Sequence, residues 1–309
     1  MTMSPKSRAA AVSVASNSTL VLLKLAVGFL SGSVSIISEA IHSANDLLAS
    51  LIAWVSVSKS DKAADAEHPY GHGKVEAISG AVEAALIIMA AIWIVVEAVK
   101  KIMRGGETEH LGLGTAVMAV SVVVNILVSR YLFRVARRED SLALEADAHH
   151  LSTDVYTSLG VAVGLAIVWG ARTFAGTNAF DIVDPIVAIA VALFILKIGV
   201  QLTLSSAGHL LDHSLPADEL RTIEAILKSH PEVLEWHNLR TRKSGSQRYV
   251  EAHVTLRGDL TLSMAHTAAH QMEKAINAAL PSAQATLHVD PPEALPPHRR
   301  PPTASSTPR

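Results

Sequence analysis

The sequence contains no cysteine. Disulfides, thiolate metal sites and cysteine nucleophiles are therefore excluded, and any bound metal must be held by nitrogen and oxygen donors. Cu(I), which favours sulfur, is a poor match for such a chain. Aromatics make up only 4% of the 309 residues and charged residues 17%. The charges nearly cancel, to a formal net of −2, so the chain has neither a polycationic surface for nucleic acid nor an acidic tail. What fills the space is aliphatic. Half of the residues are hydrophobic and the mean hydropathy is +0.33, on the membrane side of ordinary globular composition. The 15 histidines are the reserve of nitrogen ligands.

Six apolar runs are spaced along the first two thirds of the chain, at about residues 9–30, 35–57, 78–99, 111–133, 146–169 and 182–205. Each is near the roughly 20 residues needed to cross hydrocarbon, which predicts a six-helix transmembrane bundle over residues 9–210. The first run follows Lys6 and Arg8 but is too long for a signal peptide, and Asn17 and Lys24 within it imply a side facing the bundle interior. Lys6, Arg8, Lys59, Lys62, Lys74, Arg130, Arg134, Arg137 and Arg138 fall on one side of an even path. Lys100, Lys101, Arg104 and Arg172 fall on the other. The bias puts residues 1–8 and the C-terminus in the cytoplasm of a multi-pass protein of the cell (inner) membrane.

After Leu211 the pattern changes. Residues 216–230 read as an amphipathic helix, 233–241 and 248–257 as strands around a Lys243–Ser246 turn, 263–280 as a second helix and 283–289 as a last strand. That α-β-β-α-β order predicts a small α+β domain over residues 211–292. Residues 293–309 form a proline-rich tail expected to be disordered.

The chemistry concentrates in SEAIHSANDLLAS, residues 38–50, where His42 and Asp46 share one helix face, with Glu39 one turn earlier. The spacing returns in the fifth run as Asp147, His150 and Asp154. Ionisable groups in membrane helices are costly and read as functional by default. Two histidines and two aspartates would make the four-coordinate nitrogen/oxygen site that Zn²⁺ prefers. His149 points about 100° away from His150, toward packing or water, with replacement of His150 as ligand the alternative; Glu39 and Asp147 read as outer groups that orient an imidazole or hold a proton, with direct ligation the alternative. The loop between the second and third runs holds Asp65, His68 and His72; its spacing fits a metal site or a polar turn needing Gly71 and Gly73. In the C-terminal part His253 alternates away from the apolar row of its strand, His288 and Asp290 share one strand face, His266 and His270 are four apart on a helix, and His237 completes the set.

Taken together, SGSVSIISEAIHSANDLLAS, HPYGHGKVEA, ADAHHLSTDVYTS, LLDHSLP, HNLRTRKSG and LHVDP resemble the cation diffusion facilitator family, over residues 17–290. That family consists of six-helix divalent-metal exporters with a metallochaperone-like cytoplasmic domain. The resemblance implies a transport site at His42, Asp46, His150 and Asp154, and a loop site at Asp65, His68 and His72. It also implies sites bridging two protomers at His237, His253, His266, His288 and Asp290, and a charge interlock of Lys74 with Asp212.

The function expected is a homodimeric Zn²⁺/H⁺ antiporter that moves zinc out of the cytoplasm by alternating access, with zinc as both cargo and regulatory ligand. Histidine at the first site position resembles the zinc-preferring members; Fe²⁺, Mn²⁺, Cd²⁺ and Co²⁺ are the alternatives. The partners expected are divalent metal ions, protons, the lipid bilayer and a second copy. A membrane metallohydrolase or a metal sensor would be the other classes, but no HExxH-type motif is present for the former, and a sensor has no need of His42 and Asp154.

Overall fold

The computed structural model describes residues 3–31, 34–104, 113–170 and 182–294. The chain divides into two compact units, Met1–Leu210 and Leu211–Arg309. The Gly32–Ser33 turn, Arg172 and the proline-rich tail from residue 295 lie outside the described residues.

Unit one is a bundle of six long helices: α1 (Pro5–Ser31), α2 (Val34–Ser60), α3 (Lys74–Arg104), α4 (Leu113–Glu139), α5 (Leu142–Gly170) and α6 (Val183–Leu210). Most overrun the expected spans at both ends. Their polar ends, such as Lys74–Ala77 and Arg134–Glu139, carry strong helix formers and so continue the helix past the apolar stretch. Five of the six are long and apolar enough to cross a membrane. The first half of α5 carries Glu145, Asp147, His149, His150 and Asp154, and most side chains of its apolar second half lie outside the described residues.

Small residues line the helix contacts. Ala9, Ala10, Ala49, Ala53, Ala84, Ala91, Ala143 and Ala148 are all fully or almost fully buried, as expected where van der Waals contact between close backbones holds membrane helices together. α3 and α6 approach most tightly. A Cβ on Gly80 would lie 2.8 Å from Ser206 Oγ, and one on Gly199 would lie 2.6 Å from Ile88 Cγ1. Large apolar side chains such as Leu22, Phe29, Trp93, Leu127 and Leu204 point outward, as a lipid-facing surface requires.

At the end of the bundle where α1 begins, Glu76 is completely buried yet fully partnered. Its Oε1 accepts from Lys6 Nζ at 2.9 Å and Ser60 Oγ at 2.7 Å, and its Oε2 accepts from Ser141 Oγ at 2.6 Å. Lys6 also pairs with Asp61 at 2.9 Å, and Ser4 donates to the same carboxylate. Ser141 precedes α5 and its hydroxyl accepts the Leu144 N–H, a capping contact, so one carboxylate ties α1, α2 and α3 to the start of α5.

Unit two has the expected order: α7 (Ala217–Ser229), β1 (Val233–Ser244), β2 (Gln247–Leu256), α8 (Leu262–Ala279) and β3 (Ala283–Asp290). The hairpin is tighter than the sequence predicts. Lys243 and Ser244 belong to β1, leaving Gly245 (φ 58°) and Ser246 as the turn. β1 pairs antiparallel and β3 parallel to the central β2. Val250, Ala252 and Val254 of β2 pack with Ile223, Leu227, Met272 and Ile276 of the two helices. Thr255, which by strand alternation falls on the same side as His253, is completely buried. Arg248 ties α7 to β2 through paired 2.8 Å bonds to both carboxylate oxygens of Glu219.

Removing one partner of a buried ion pair costs up to about 3–5 kcal/mol where the remaining charge is left unpaired. Glu76→Ala leaves Lys6 with Asp61 as its remaining partner, so it should lower the thermal midpoint of the purified protein by less than that limit, while Lys6→Met combined with Glu76→Leu should recover most of the loss. Equal destabilisation by the single and double variants would mean that the pair itself, not the ammonium left with Asp61 alone, carries the stability.

Candidate metal centre

His42 and Asp46 are one turn apart on α2, and His150 and Asp154 one turn apart on α5. Where the helices meet, the pairing is crosswise. His150 Nε2 lies 3.3 Å from Asp46 Oδ1, and His42 Nε2 lies 3.9 Å from Asp154 Oδ1. Ligand atoms of His42, Asp46 and Asp154 all fall within 4.8 Å of one another. His150 joins them through Asp46. The side chain of His42 is 59% exposed against 12% for His150, so the group is open on one side and closed on the other.

The open side is a cavity of about 220 Å³ reaching into the C-terminal half of α1 and the N-terminal halves of α2 and α4. Asn17 and Lys24 of α1 line it, as their interruption of an apolar run implies. Asn17 Nδ2 donates to Ser50 Oγ at 3.2 Å and to the Asp46 carbonyl at 3.4 Å, which fixes the α2 turn that carries Asp46. Asn125 of α4 donates to Asp154 Oδ2 at 3.4 Å. Sequence reasoning missed Asn125; its only signal was a lone amide in an apolar run.

The outer groups fare differently. Asp147 is fully buried beside the Ser13 hydroxyl, and neither of its oxygens bonds an imidazole. It does not orient His150, whose Nδ1 is buried without a hydrogen bond. His149 packs edge-on against Phe133, with ring centroids 4.8 Å apart, and so faces α4. The Glu39 side chain lies outside the described residues.

In the loop before α3, Asp65 sits 3.4 Å from both His68 Nδ1 and His72 Nε2, and the two rings are 4.4 Å apart. The turn is present as well: Gly71 has φ +77°, and Asp65 Oδ1 accepts the N–H groups of His68 at 2.7 Å and Glu67 at 3.1 Å. The His68 N–H above all holds the Asp65 carboxyl below its ordinary pKa, with the neighbouring imidazoles assisting. A carboxylate kept ionised beside two imidazoles has the donors a divalent ion needs.

In unit two the strand register assembles the histidines. His237 is the cross-strand partner of His253, and His253 that of His288, so three imidazoles stand in a row across β1, β2 and β3. A bulge at Asn238 (φ 51°) shifts the register next to His237. Asp290 reaches all three rings, at 3.5, 3.0 and 3.4 Å from His237, His253 and His288. His266 is not part of this row. It lies on α8, stacked on His270 at 6.1 Å, while His270 pairs with Glu273. Lys74 donates to the Leu210 carbonyl at 3.4 Å, and Asp212 pairs with Arg242 at 3.6 Å.

Comparison with known proteins fits this layout. Residues 10–211 match the cation efflux transmembrane domain, and residues 215–292 the cytoplasmic domain of cation efflux proteins. The chain is 32% identical over 270 residues to an uncharacterized transporter of Synechocystis, covering 87% of this chain and 85% of the relative. It is 31% identical to the cation-efflux pump FieF of Escherichia fergusonii, and 29% to FieF of Klebsiella pneumoniae, each over 94% of both chains. The solved zinc form of CzrB is 36% identical, covering 28% of this chain and 98% of that one, with a TM-score of 0.26. The chain belongs to the cation efflux (cation diffusion facilitator) family: it is a multi-pass membrane transporter of cations, not an enzyme, with a small α+β cytoplasmic domain.

Proposed function

We propose that this transporter exports Zn²⁺ from the cytoplasm in exchange for protons, with His42, Asp46, His150 and Asp154 as the transport ligands. The crosswise His/Asp contact between α2 and α5 carries this reading, because it gathers two imidazoles and two carboxylates in a bundle interior where such groups are costly. Two nitrogens and two oxygens suit a compact tetrahedral ion better than Mn²⁺ or other ions that prefer all-oxygen sites. Metal requires the imidazoles neutral, so protons and metal compete for the same atoms, and an inward proton gradient can drive metal out.

The direction of access follows from the two ends of the bundle. The cavity reaches the donors from the end where α1 finishes, while the Glu76 network closes the end where α1 starts. With both termini cytoplasmic, this conformation is the outward-open state of an alternating-access cycle. Asp65, His68 and His72 are proposed as a second, interfacial metal site. His237, His253, His288 and Asp290, with His266, are proposed as regulatory ligands acting in a homodimer.

Asp154→Ala should abolish zinc uptake into proteoliposomes while the protein still purifies in the wild-type assembly state; normal transport would remove the central assignment. Zinc flux should also rise with an opposing proton gradient, and indifference to the gradient would leave a uniporter.

Selectivity tests His42 separately. Imidazole is a single-point donor suited to metal–nitrogen bonds of about 2.0–2.1 Å, whereas a carboxylate binds through one or two oxygens and tolerates longer bonds. His42→Asp should lower the ratio of Zn²⁺ to Cd²⁺ transport. A steady ratio would make His42 a bystander.

For unit two, zinc at about 100 times its Kd should stabilise residues 211–294 by about 2.7 kcal/mol. Asp290→Ala, which removes the carboxylate shared by three imidazoles, should erase the shift in a zinc-titrated melting curve. A melting point unmoved by zinc in the parent fragment would return these histidines to an ordinary polar surface.

A further inference from the structure

The histidines of unit two fall into groups on opposite sides of its sheet. Val250, Ala252 and Val254 of β2 pack toward the helices, so His253 and the row it belongs to stand on the other face. His266 and His270 stand on α8, whose buried residues are Ala268, Ala269, Met272 and Ile276. Both histidines lie outside that buried stripe and are exposed. Within one protomer, then, the row and the α8 pair have the sheet between them and cannot share an ion.

The α8 pair has the makings of a site of its own. Residues i and i+4 lie one above the other on a helix, the spacing by which a single helix presents two imidazoles to zinc. The rings of His266 and His270 are 6.1 Å apart and within 5° of parallel. An ion about 2.0–2.1 Å from one nitrogen of each ring is within reach at that separation once the rings turn about χ2, a soft torsion for an exposed imidazole.

Glu273, nearly one turn further along the same face, fixes the second ring. Its Oε1 accepts the Leu287 N–H of β3 at 2.9 Å, and its Oε2 lies 3.3 Å from His270 Nδ1. The carboxylate is half-buried and anchored by the backbone of another element, so it positions the imidazole and not the reverse. A carboxylate only accepts, which puts the ring proton on Nδ1 and leaves the Nε2 lone pair for a metal. That is the carboxylate–histidine–metal order by which bound ions are held and tuned.

We propose that His266 and His270 form a second metal site in unit two, oriented by Glu273 and taking a divalent ion that accepts nitrogen donors, such as Zn²⁺. Two protein nitrogens leave the ion's other positions to water, so the site loads directly from the surrounding solution. It goes beyond the row of His237, His253 and His288, gives His266 a partner on its own helix, and does not depend on the row binding metal.

The test uses the full-length protein in detergent, with Zn²⁺ as the probe. Histidine modification by diethyl pyrocarbonate, read peptide by peptide in a mass spectrometer, measures ligation as protection. His266 and His270 should follow one zinc titration curve, with protection of about tenfold at ten times its midpoint. His270→Ala, on an exposed helix face where alanine is well tolerated, should remove the protection of His266. Glu273→Gln keeps an acceptor for Leu287 but turns a donor toward Nδ1, and should move the midpoint to about tenfold higher zinc or more. Asp290→Ala should leave the α8 curve in place while removing the protection of His253. An unprotected His270 in the parent, or protection of His266 that survives His270→Ala, would overturn the proposal, as would a midpoint indifferent to Glu273→Gln. If the surviving protection disappears with Asp290→Ala, His266 belongs to the row instead. A protected α8 pair beside an unprotected His253 would remove the row as a metal site and leave this one standing.

Discussion

Burying charge among apolar helices is the constraint from which the rest of unit one follows. An ion moved from water to a low-dielectric interior loses solvation worth several kcal/mol even after relaxation, so it must find partners there. Glu76 meets that demand with three donors from different parts of the bundle. The donors of the metal group meet it only in part. His42 and Asp154 stand 3.9 Å apart, and the Nδ1 atom of His150 is buried with no hydrogen bond. Full pairing of Glu76 at one end and longer His/Asp contacts in the middle set that network apart from the proposed metal group. A carboxylate with every lone pair engaged has nothing to offer a passing ion. A loosely paired His/Asp group does.

The two are also placed to oppose each other. The Glu76 network uses the start of α1, the end of α2, the start of α3 and the residue before α5. The cavity uses the other halves of α1, α2 and α5, together with the start of α4. The same helices thus close at one end and part at the other, as the proposed alternating-access cycle requires of one of its states. The proposed metal group lies between the two ends.

Much of this was legible in the primary structure. Six apolar runs gave six helices, and the i, i+4 repeat on α2 and α5 gave the His/Asp pairs that the two helices bring together, because both signals are local and periodic. The α-β-β-α-β order of unit two was equally local. What escaped were contacts whose partners lie far apart in the chain. Glu76 read as an ordinary polar residue of the loop before α3, although it lies 70 residues from Lys6 and 65 from Ser141. Asn125 looked like a stray amide. The histidines of unit two could be grouped by strand face and by resemblance, but not aligned into one row that leaves His266 out. Aligning His237 with His253 depends on a bulge at Asn238 that alternation does not reveal. For Asp147 the spacing suggested a group that orients an imidazole or holds a proton; the structure rules out only the first, since the carboxyl sits beside Ser13 with no imidazole bonded to it.

The two histidine groups differ in what their scaffolds permit. The donors on α2 and α5 come from separate helices, and neither helix supplies enough alone. A shift of one helix along the other breaks the 3.3 Å contact of His150 with Asp46 while leaving every backbone hydrogen bond intact. Ligand geometry there is coupled to helix position, and whatever binds the four donors biases the bundle toward arrangements that keep them together. The row on β1, β2 and β3 is held by hydrogen-bonded register, and moving one strand by a residue would turn its side chains to the opposite face. A ligand at that row cannot slide the strands, so it can act only by rigidifying the sheet or by drawing in a donor from outside it. On the proposed reading, the helical donor set can therefore move with a bound ion, whereas the sheet-borne set stays in register.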